Sequence, residues 1–226
     1  MIYKMFILEN KEKLFALKNE GFMKIGLNIE GYLNDVINYE VITNMKILNF
    51  PRENSSDILR KQTEFNVRQR FIEYSYVIPS IKAVFGIMDF FGHGGYVISI
   101  CSGRALFEQW MQTYGMRVYS TDIEPPINSY MKVEQIDGEQ AVIKYNNRKN
   151  LFASWTPLDN DVAYRAVKAF TGDKVAMVVE GKHGCIADDK FFDYMEKYFD
   201  EDSSIDVPTF AGLHDYIQCW TRKIKN

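Results

Sequence analysis

From about residue 80 onward, short apolar runs alternate with segments whose apolar side chains recur at helical spacing. Residues 96–100 form a short, β-branched run, which is typical of a buried parallel strand. The following segment has helical spacing at Leu106, Phe107, Trp110, Met111 and Tyr114. Gly115 is typical of a residue that ends such a helix. Residues 116–121 form a second predicted strand, which leads to the carboxylate Asp122.

The same alternation continues beyond Asp122. Strands are predicted at 133–136, 151–154, 174–179 and 214–222, and helices at 81–88, 139–145, 160–170 and from 188 onward. The pair Asp137-Gly138 would suit a hairpin. Parallel strands need a crossover, however, so we predict a helix after this pair. The charged end of the last strand, residues 222–225, favours an edge position in the sheet.

This order of elements predicts an α/β fold, namely a three-layer, Rossmann-like sandwich around a mostly parallel seven-stranded sheet. Residues 96–100 are expected at the centre of the sheet, and residues 56–226 form the predicted α/β domain. Residues 1–55 show no clear pattern, and we expect a small α-rich N-terminal extension or cap. A polar cluster at 55–57 predicts the start of a further helix.

Composition and charge narrow the class of protein. Hydrophobic residues make up 46% and charged residues 25% of the 226 residues, so the chain can bury an ordinary globular core. The formal net charge of −3 gives no general attraction to nucleic acid or to an anionic membrane. The apolar N-terminal run, residues 1–8, is too short to span a bilayer. We therefore expect a soluble, cytoplasmic protein that does not bind membranes.

The three cysteines are Cys101, Cys185 and Cys219. Their number and spacing fit neither a disulfide framework nor a zinc site of the CxxC type, and we predict no metal site. We expect reduced, mostly buried thiols, in keeping with a cytosolic compartment. For Cys185, burial is favoured over a role as a nucleophile.

Small and polar residues follow several predicted strands, where ligands bind in open α/β sheets. Residues 101–103 form a small-residue turn that lets a ligand approach the backbone. Asp122 lies nineteen residues after Gly103, close to the spacing at which an acid meets ribose hydroxyls in dinucleotide-type folds. Trp155 and Glu180 follow two later strands. The alternative is a crossover unit that joins two parallel strands and binds no ligand.

Residues 96–122 resemble the first motif of class I S-adenosylmethionine-dependent methyltransferases, in which strand, glycine loop and helix hold the methionine part of the cofactor. More narrowly, the chain resembles an uncharacterised methyltransferase-like family over roughly residues 65–222. Four stretches carry this likeness, at 74–80, 96–126, 151–157 and 180–189. The family patterns are E-I-G-A-G-T-G in the second stretch, serine or cysteine before W-P-P in the third, and G-E-G-x-G-G-C-x-x-D-D in the fourth.

The chain departs from the glycine pattern of that family at several positions. Ser99 and Cys101 stand where the pattern has its acid and first glycine, and Arg104 and Ala105 stand at its last two positions. Gly103 alone is kept. In the other segments Thr156 replaces a proline, and residues 182–183 are lysine and histidine. Two alternatives follow: a working methyltransferase with a modified pocket, or a binding or structural protein that kept the fold without the chemistry.

The resemblance implies S-adenosylmethionine as the cofactor and a methyl acceptor, either a small molecule or a protein, that the sequence does not identify. The implied cofactor-binding residues are Ser99, Cys101, Gly103, Ala105, Asp122, Ile123 and Ser154. A nicotinamide dinucleotide is disfavoured because the turn lacks the second and third glycines that a pyrophosphate requires.

The candidate catalytic residues are Trp155, Glu180 and His183. Trp155 could stack on a planar acceptor or on adenine, or it could be a core aromatic residue that covers the strand end. Glu180 and His183 could form a base or a hydrogen-bonding pair, although loop carboxylates often only cap the following helix. Tyr76 is a candidate lid residue. Methyl transfer itself depends mainly on alignment of the nucleophile.

Overall fold

The computed structural model describes residues 75–77, 79–182, 184–207 and 214–224. The predicted N-terminal extension at 1–55 and the helix predicted after residues 55–57 lie outside these described residues. The expected division at residues 55 and 56 therefore stays a prediction. Within the described part, helices and strands alternate as the hydrophobic pattern predicts, with small differences at their ends.

The helices are α1 (Ile81–Phe91), α2 (Leu106–Thr113), α3 (Gly138–Lys144), α4 (Val162–Ala169) and α5 (Asp189–Tyr198). The strands are β1 (Tyr96–Ile100), β2 (Arg117–Asp122), β3 (Val133–Gln135), β4 (Asn150–Ala153), β5 (Lys174–Val179), β6 (Phe199–Asp206) and β7 (Tyr216–Arg222). Together the strands form one seven-stranded sheet in the order β3-β2-β1-β4-β5-β7-β6.

The sheet is mostly parallel. Strands β3, β2, β1, β4 and β5 pair in parallel, and β7 pairs antiparallel with both β5 and β6. Only β7 therefore runs against the other strands. Strand β1 is third in the order, beside the central strand β4, so the prediction of a central position for residues 96–100 is correct to within one strand.

Helices cover both faces of the sheet. The chain moves one way from β1 to β2 and the opposite way from β3 to β4 and β5, so right-handed crossovers place α2 on one face and α3 and α4 on the other. Helix α1 packs against α2, while α3, α4 and α5 pack in series. The core between these layers contains fully buried side chains such as Ile98, Phe107, Phe152 and Met177.

Side-chain caps fix where several helices begin. The Asp188 side chain accepts a hydrogen bond from the Phe191 amide (3.0 Å) at the start of α5. The Asp137 side chain accepts one from the Glu139 amide (3.0 Å) at the start of α3. Asp137-Gly138 therefore starts a crossover helix rather than a hairpin, as the need to join parallel strands predicts.

Two features of the C-terminal region differ from the sequence prediction. The pattern did not predict β6, because most of its side chains are polar and exposed and Phe199 continues the apolar spacing of α5. The last strand, β7, was expected at the edge because of its charged end. It lies between β5 and β6, and its buried positions, Ile217 to Trp220, show why an interior place suits it.

No helix among the described residues is long and apolar enough to cross a bilayer.

Candidate functional site

The candidate site lies at the edge of the sheet where the parallel strands end. Strands β1, β2, β4 and β5 are parallel neighbours, so the residues after their carboxyl ends share this edge. It thus brings together four segments, which are the loop from Cys101 to Ala105, Asp122 with Ile123, Ser154 with Trp155, and the loop that begins at Glu180. The sequence predicted this grouping from the order of the elements.

The loop between β1 and α2, residues 101–105, has an unusual backbone. Cys101 (φ 51°), Gly103 (φ 51°) and Ala105 (φ 57°) all have positive φ. Residues with a Cβ rarely adopt this region, since the side chain crowds the backbone there. A Cβ on Gly103 would meet no heavy atom within 4 Å, so the space above this residue is open.

Asp122 organises this loop from the end of β2. One carboxylate oxygen accepts a hydrogen bond from the Gly103 amide, and the other accepts one from the Glu124 amide, both at 2.9 Å. A carboxylate oxygen can accept more than one hydrogen bond, so both oxygens keep the capacity to accept from ribose hydroxyls. Beside it, the Ile123 side chain is 64% exposed and offers an apolar surface.

A buried acid that the sequence pattern did not single out, Glu108, lies beneath the loop in the first turn of α2. Its side chain is 1% exposed. The Ser99 hydroxyl donates to it (Oγ to Oε1, 2.6 Å), and the Ser102 hydroxyl donates to Ser99 (3.0 Å). Burial raises the pKa of Glu108 to about 7, against the lowering effect of these hydrogen bonds, and the negative charge of Asp122 adds to the rise.

Ser99 therefore lies beneath the site, not on its surface. It is fully buried, and its hydroxyl is committed to Glu108. A surface helix normally carries an acid as a solvated residue, so spacing alone gave no reason to single out Glu108. At 3.6 residues per turn, residue 108 lies at the margin of the apolar face of α2, beyond Met111, and the structure buries it with that face.

The Cys101 thiol is unsuited to act as a nucleophile. Burial raises its pKa to about 12, and the negative charges of Asp122 and Asp137 contribute. Hydrogen bonds from Arg165 lower the pKa of Asp137 and keep that carboxylate ionised. Cys101 therefore stays protonated.

The end of β4 presents an aromatic pair. The Trp155 ring stacks on the Tyr76 ring, with centroids 5.8 Å apart and an interplanar angle of 28°. Tyr76 is 57% exposed. Just before this pair, the Ser154 hydroxyl lies 3.5 Å from the Cys101 carbonyl oxygen, which connects the end of β4 to the glycine loop. The partner of Trp155 is thus the predicted lid residue.

The loops after β4 and β5 are also joined. The Ala187 amide donates to the Thr156 carbonyl oxygen (3.3 Å), and Pro157 and Ile186 form an isolated antiparallel bridge. Glu180 accepts hydrogen bonds from the Cys185 amide (3.0 Å) and the His214 amide (3.5 Å). Neither amide belongs to α5, which is capped by Asp188, so these contacts tie Glu180 to the loop backbone and do not cap the following helix. His183, its proposed partner, lies outside the described residues.

One prediction about the cysteines is wrong. Cys219 is buried, as expected, but Cys185 is exposed because the compact loop from Glu180 turns it outward. Gly184 closes that loop by donating to the Gly181 carbonyl oxygen (3.2 Å). Within the described part of the chain, no group of histidine, cysteine, aspartate and glutamate side chains could hold a metal ion.

These residues fit S-adenosylmethionine on two counts. The space above Gly103 is open, and Asp122 keeps acceptor capacity beside an exposed apolar residue. The acids around the loop suit a cation better than they suit the pyrophosphate of a dinucleotide. Asp122 and Ile123 would hold the adenosine part, and residues 101–105 would face the methionine part.

Comparison with known proteins agrees on the fold. No protein-family model matches the sequence, and no curated protein matches it. The solved structure of 1,6-didemethyltoxoflavin-N1-methyltransferase from Burkholderia thailandensis, with bound 1,6-didemethyltoxoflavin and S-adenosylhomocysteine, is similar, with a TM-score of 0.51 and 12% identity. The match covers 76% of this chain and 93% of that chain.

Two further solved structures are similar at lower scores. A TehB-like SAM-dependent methyltransferase from Corynebacterium glutamicum has a TM-score of 0.47 and 14% identity, over 72% of this chain and 100% of that one. A protein in the NADB-Rossmann superfamily from Streptococcus agalactiae has a TM-score of 0.48 and 11% identity, over 66% of this chain and 72% of that one. The described part of this chain thus has the Rossmann-like fold found in methyltransferases.

Proposed function

We propose that the protein is an S-adenosylmethionine-dependent methyltransferase whose acceptor binds against the Tyr76–Trp155 pair. The observation that supports this best is the set of acids around an open loop at the carboxyl edge of β1. Asp122 is bonded to that loop, and Glu108 lies beneath it.

Each part of the site has a simple task in this proposal. Asp122 accepts the ribose hydroxyls, and the open space at Gly103 admits the amino acid part of the cofactor. The cofactor supplies an electrophilic methyl group. Trp155 and Tyr76 hold a planar acceptor, so that alignment of the two reactants lowers the barrier. Glu180 keeps its carboxylate in backbone hydrogen bonds and shapes the loop beside the acceptor.

The second candidate function is binding without catalysis. It is favoured by the backbone of the loop, where Cys101 and Ala105 have positive φ at positions that the resemblance assigns to glycine. Strain of this kind costs about 1 to 3 kcal/mol at each residue. For a methyltransferase and for a binding protein without catalysis alike, we expect weak binding of the cofactor.

Titration calorimetry on the full chain tests the proposed function. We expect S-adenosylmethionine and S-adenosylhomocysteine to bind and NAD to bind much more weakly or not at all. The substitution Asp122→Asn should weaken adenosyl binding roughly ten- to hundredfold, through the loss of one or two charge-assisted hydrogen bonds. Glu201→Gln, which removes an exposed acid of β6, is the matched control and should leave the affinity unchanged.

Two outcomes would contradict the proposal. The first is an affinity for NAD equal to that for the two adenosyl ligands. The second is a wild-type protein that binds neither adenosyl ligand, which would favour a scaffold or interaction role. A normal melting temperature for Asp122→Asn is needed to attribute a loss of affinity to the site, because Asp122 also accepts from the Gly103 and Glu124 amides.

A further inference from the structure

Glu108 is a buried carboxyl group that the proposed function leaves without a role. It is 1% exposed and accepts a hydrogen bond from the Ser99 hydroxyl. Among the described residues, no lysine or arginine forms an ion pair with it. Burying a carboxylate without a cation is costly, so a fold that only needed packing here would gain from an apolar residue.

The hydrogen bonds of Glu108 lead to the glycine loop. The Ser102 hydroxyl donates to the Ser99 hydroxyl, which donates to the carboxyl oxygen. Ser102 is a loop residue, and its amide donates to the Thr121 carbonyl oxygen of β2 (3.0 Å). These hydrogen bonds connect the Glu108 carboxyl group, through two hydroxyl groups, to the loop that borders the open space at Gly103.

Among the charged groups near Glu108, Arg104 lies in the loop itself, where its guanidinium donates to the Asn128 carbonyl oxygen and stacks over the Tyr130 ring. Asp122, on β2, acts on Glu108 as a like charge. On α1, which packs against α2, Lys82 and Asp89 are exposed and are paired with Asp206 and His93. Burial raises the pKa of Glu108, and hydrogen bonds from the two serine hydroxyls oppose this rise. With the resulting pKa of about 7, Glu108 is close to half ionised near neutral pH. A positive charge brought to the loop would favour its ionised form.

We propose that Glu108 is the buried counter-charge of the loop site, which makes the site prefer a cationic ligand to a neutral ligand of the same shape. This inference rests on the proposed function. S-adenosylmethionine carries a sulfonium charge that S-adenosylhomocysteine lacks. Glu108 would thus favour the methyl donor over the demethylated product, and it would act as a positioning residue through Ser99 and Ser102 without touching the ligand.

The sign of the pH dependence follows from this role. A cation binds better when Glu108 is ionised, so the affinity for S-adenosylmethionine rises as the pH increases through neutrality. The affinity for the neutral S-adenosylhomocysteine changes less. By linkage, S-adenosylmethionine binding lowers the pKa of Glu108 and releases part of a proton. Coupling between charged sites is typically five- to 150-fold, and we expect a change of about tenfold in the preference for the donor between pH 6 and pH 8.

Titration calorimetry with both ligands at pH 6 and pH 8 tests this on the full chain. The comparison is between the wild type and Glu108→Gln, which keeps the shape and can still accept from Ser99. The ligands' own amino groups titrate in this range, and the variant provides that background. We expect the ratio of the two affinities to depend on pH in the wild type and to be nearly constant in Glu108→Gln. Glu201→Gln should behave as the wild type.

A second measurement counts protons. In two buffers of different ionisation enthalpy at pH 7, the excess of protons released on binding S-adenosylmethionine over S-adenosylhomocysteine should be larger in the wild type than in Glu108→Gln, which carries only the background of the ligands' amino groups. An equal excess in the two proteins, or the same pH-dependent ratio of affinities in both, overturns the inference while the proposed function stands. If the wild type binds neither ligand, the proposed function fails, and this inference fails with it.

Discussion

At the scale of single residues, the loop after β1 combines positive φ with side chains other than glycine. Ala105 is almost completely buried, so its methyl group packs inside the protein and does not protrude into the open space. The sequence predicted that Cβ atoms at Cys101 and Ala105 would intrude on the cofactor. For Ala105 the structure gives a different cost, which is backbone strain in the left-handed region.

Replacing both residues by glycine should let the loop adopt the conformation that the bound cofactor requires at a smaller cost in backbone strain. For the double substitution Cys101→Gly, Ala105→Gly we expect S-adenosylmethionine to bind about ten- to hundredfold more tightly, measured by calorimetry. The free energy of unfolding should change by less than about 2 kcal/mol, because relief of strain offsets the added chain entropy and lost packing. Ala187→Gly removes positive-φ strain elsewhere (φ 61°) and is the matched control. If the double variant folds but binds S-adenosylmethionine no more tightly, backbone strain in the loop is not the reason for weak binding.

Glu108 should also leave a signature in the stability of the free protein. Its pKa rises from 4.5 to about 7 on folding, so the stability it provides when protonated is lost as the pH rises through about 7. At about 1.4 kcal/mol per pH unit, the loss is roughly 3 kcal/mol between pH 4.5 and pH 8. In urea unfolding, the free energy of unfolding of Glu108→Gln relative to the wild type should rise by roughly 3 kcal/mol between pH 4.5 and pH 8. If the difference in the free energy of unfolding between the two proteins did not change with pH, folding would not perturb the pKa of Glu108.

At the scale of elements, hydrophobic period and connection rules predicted most of the fold. The crossover α3 was predicted because a parallel sheet forbids a hairpin at Asp137-Gly138, and Asp137 is indeed its cap. Strand β6 was missed because its residues from Asp200 to Ser204 are polar and exposed, and an edge strand needs little apolar sequence. Phe199 fits the apolar spacing of α5, but its backbone is extended and it is the first residue of β6.

The cap of α5 gives a test at this scale. Asp188 accepts the Phe191 amide, and its negative charge lies at the positive end of the helix. Asp188→Ala should lower the free energy of unfolding by about 1 kcal/mol, measured by chemical denaturation. Asp188→Asn keeps an acceptor at the same place and should retain most of the stability. Equal losses in the two variants would show that the effect is not due to capping.

At the scale of the whole molecule, the sheet order determines which residues meet. Strand ends far apart in sequence supply the loop from Cys101, Asp122 and Trp155 to one edge. The sequence identified these segments because each follows a recognisable strand. It could not identify the Tyr76–Trp155 stack or the hydrogen bond from Ser99 to Glu108, since these depend on side-chain positions that no periodicity encodes.

The central claim is that the carboxyl edge of β1 binds the adenosyl cofactor, and the most direct test is a crystal of the full chain soaked with S-adenosylhomocysteine. The account predicts electron density for the ligand in the open space above Gly103, with its ribose hydroxyls within hydrogen-bonding distance of the Asp122 carboxylate. Density for the ligand at another place, or an unoccupied loop at saturating concentration, would contradict it.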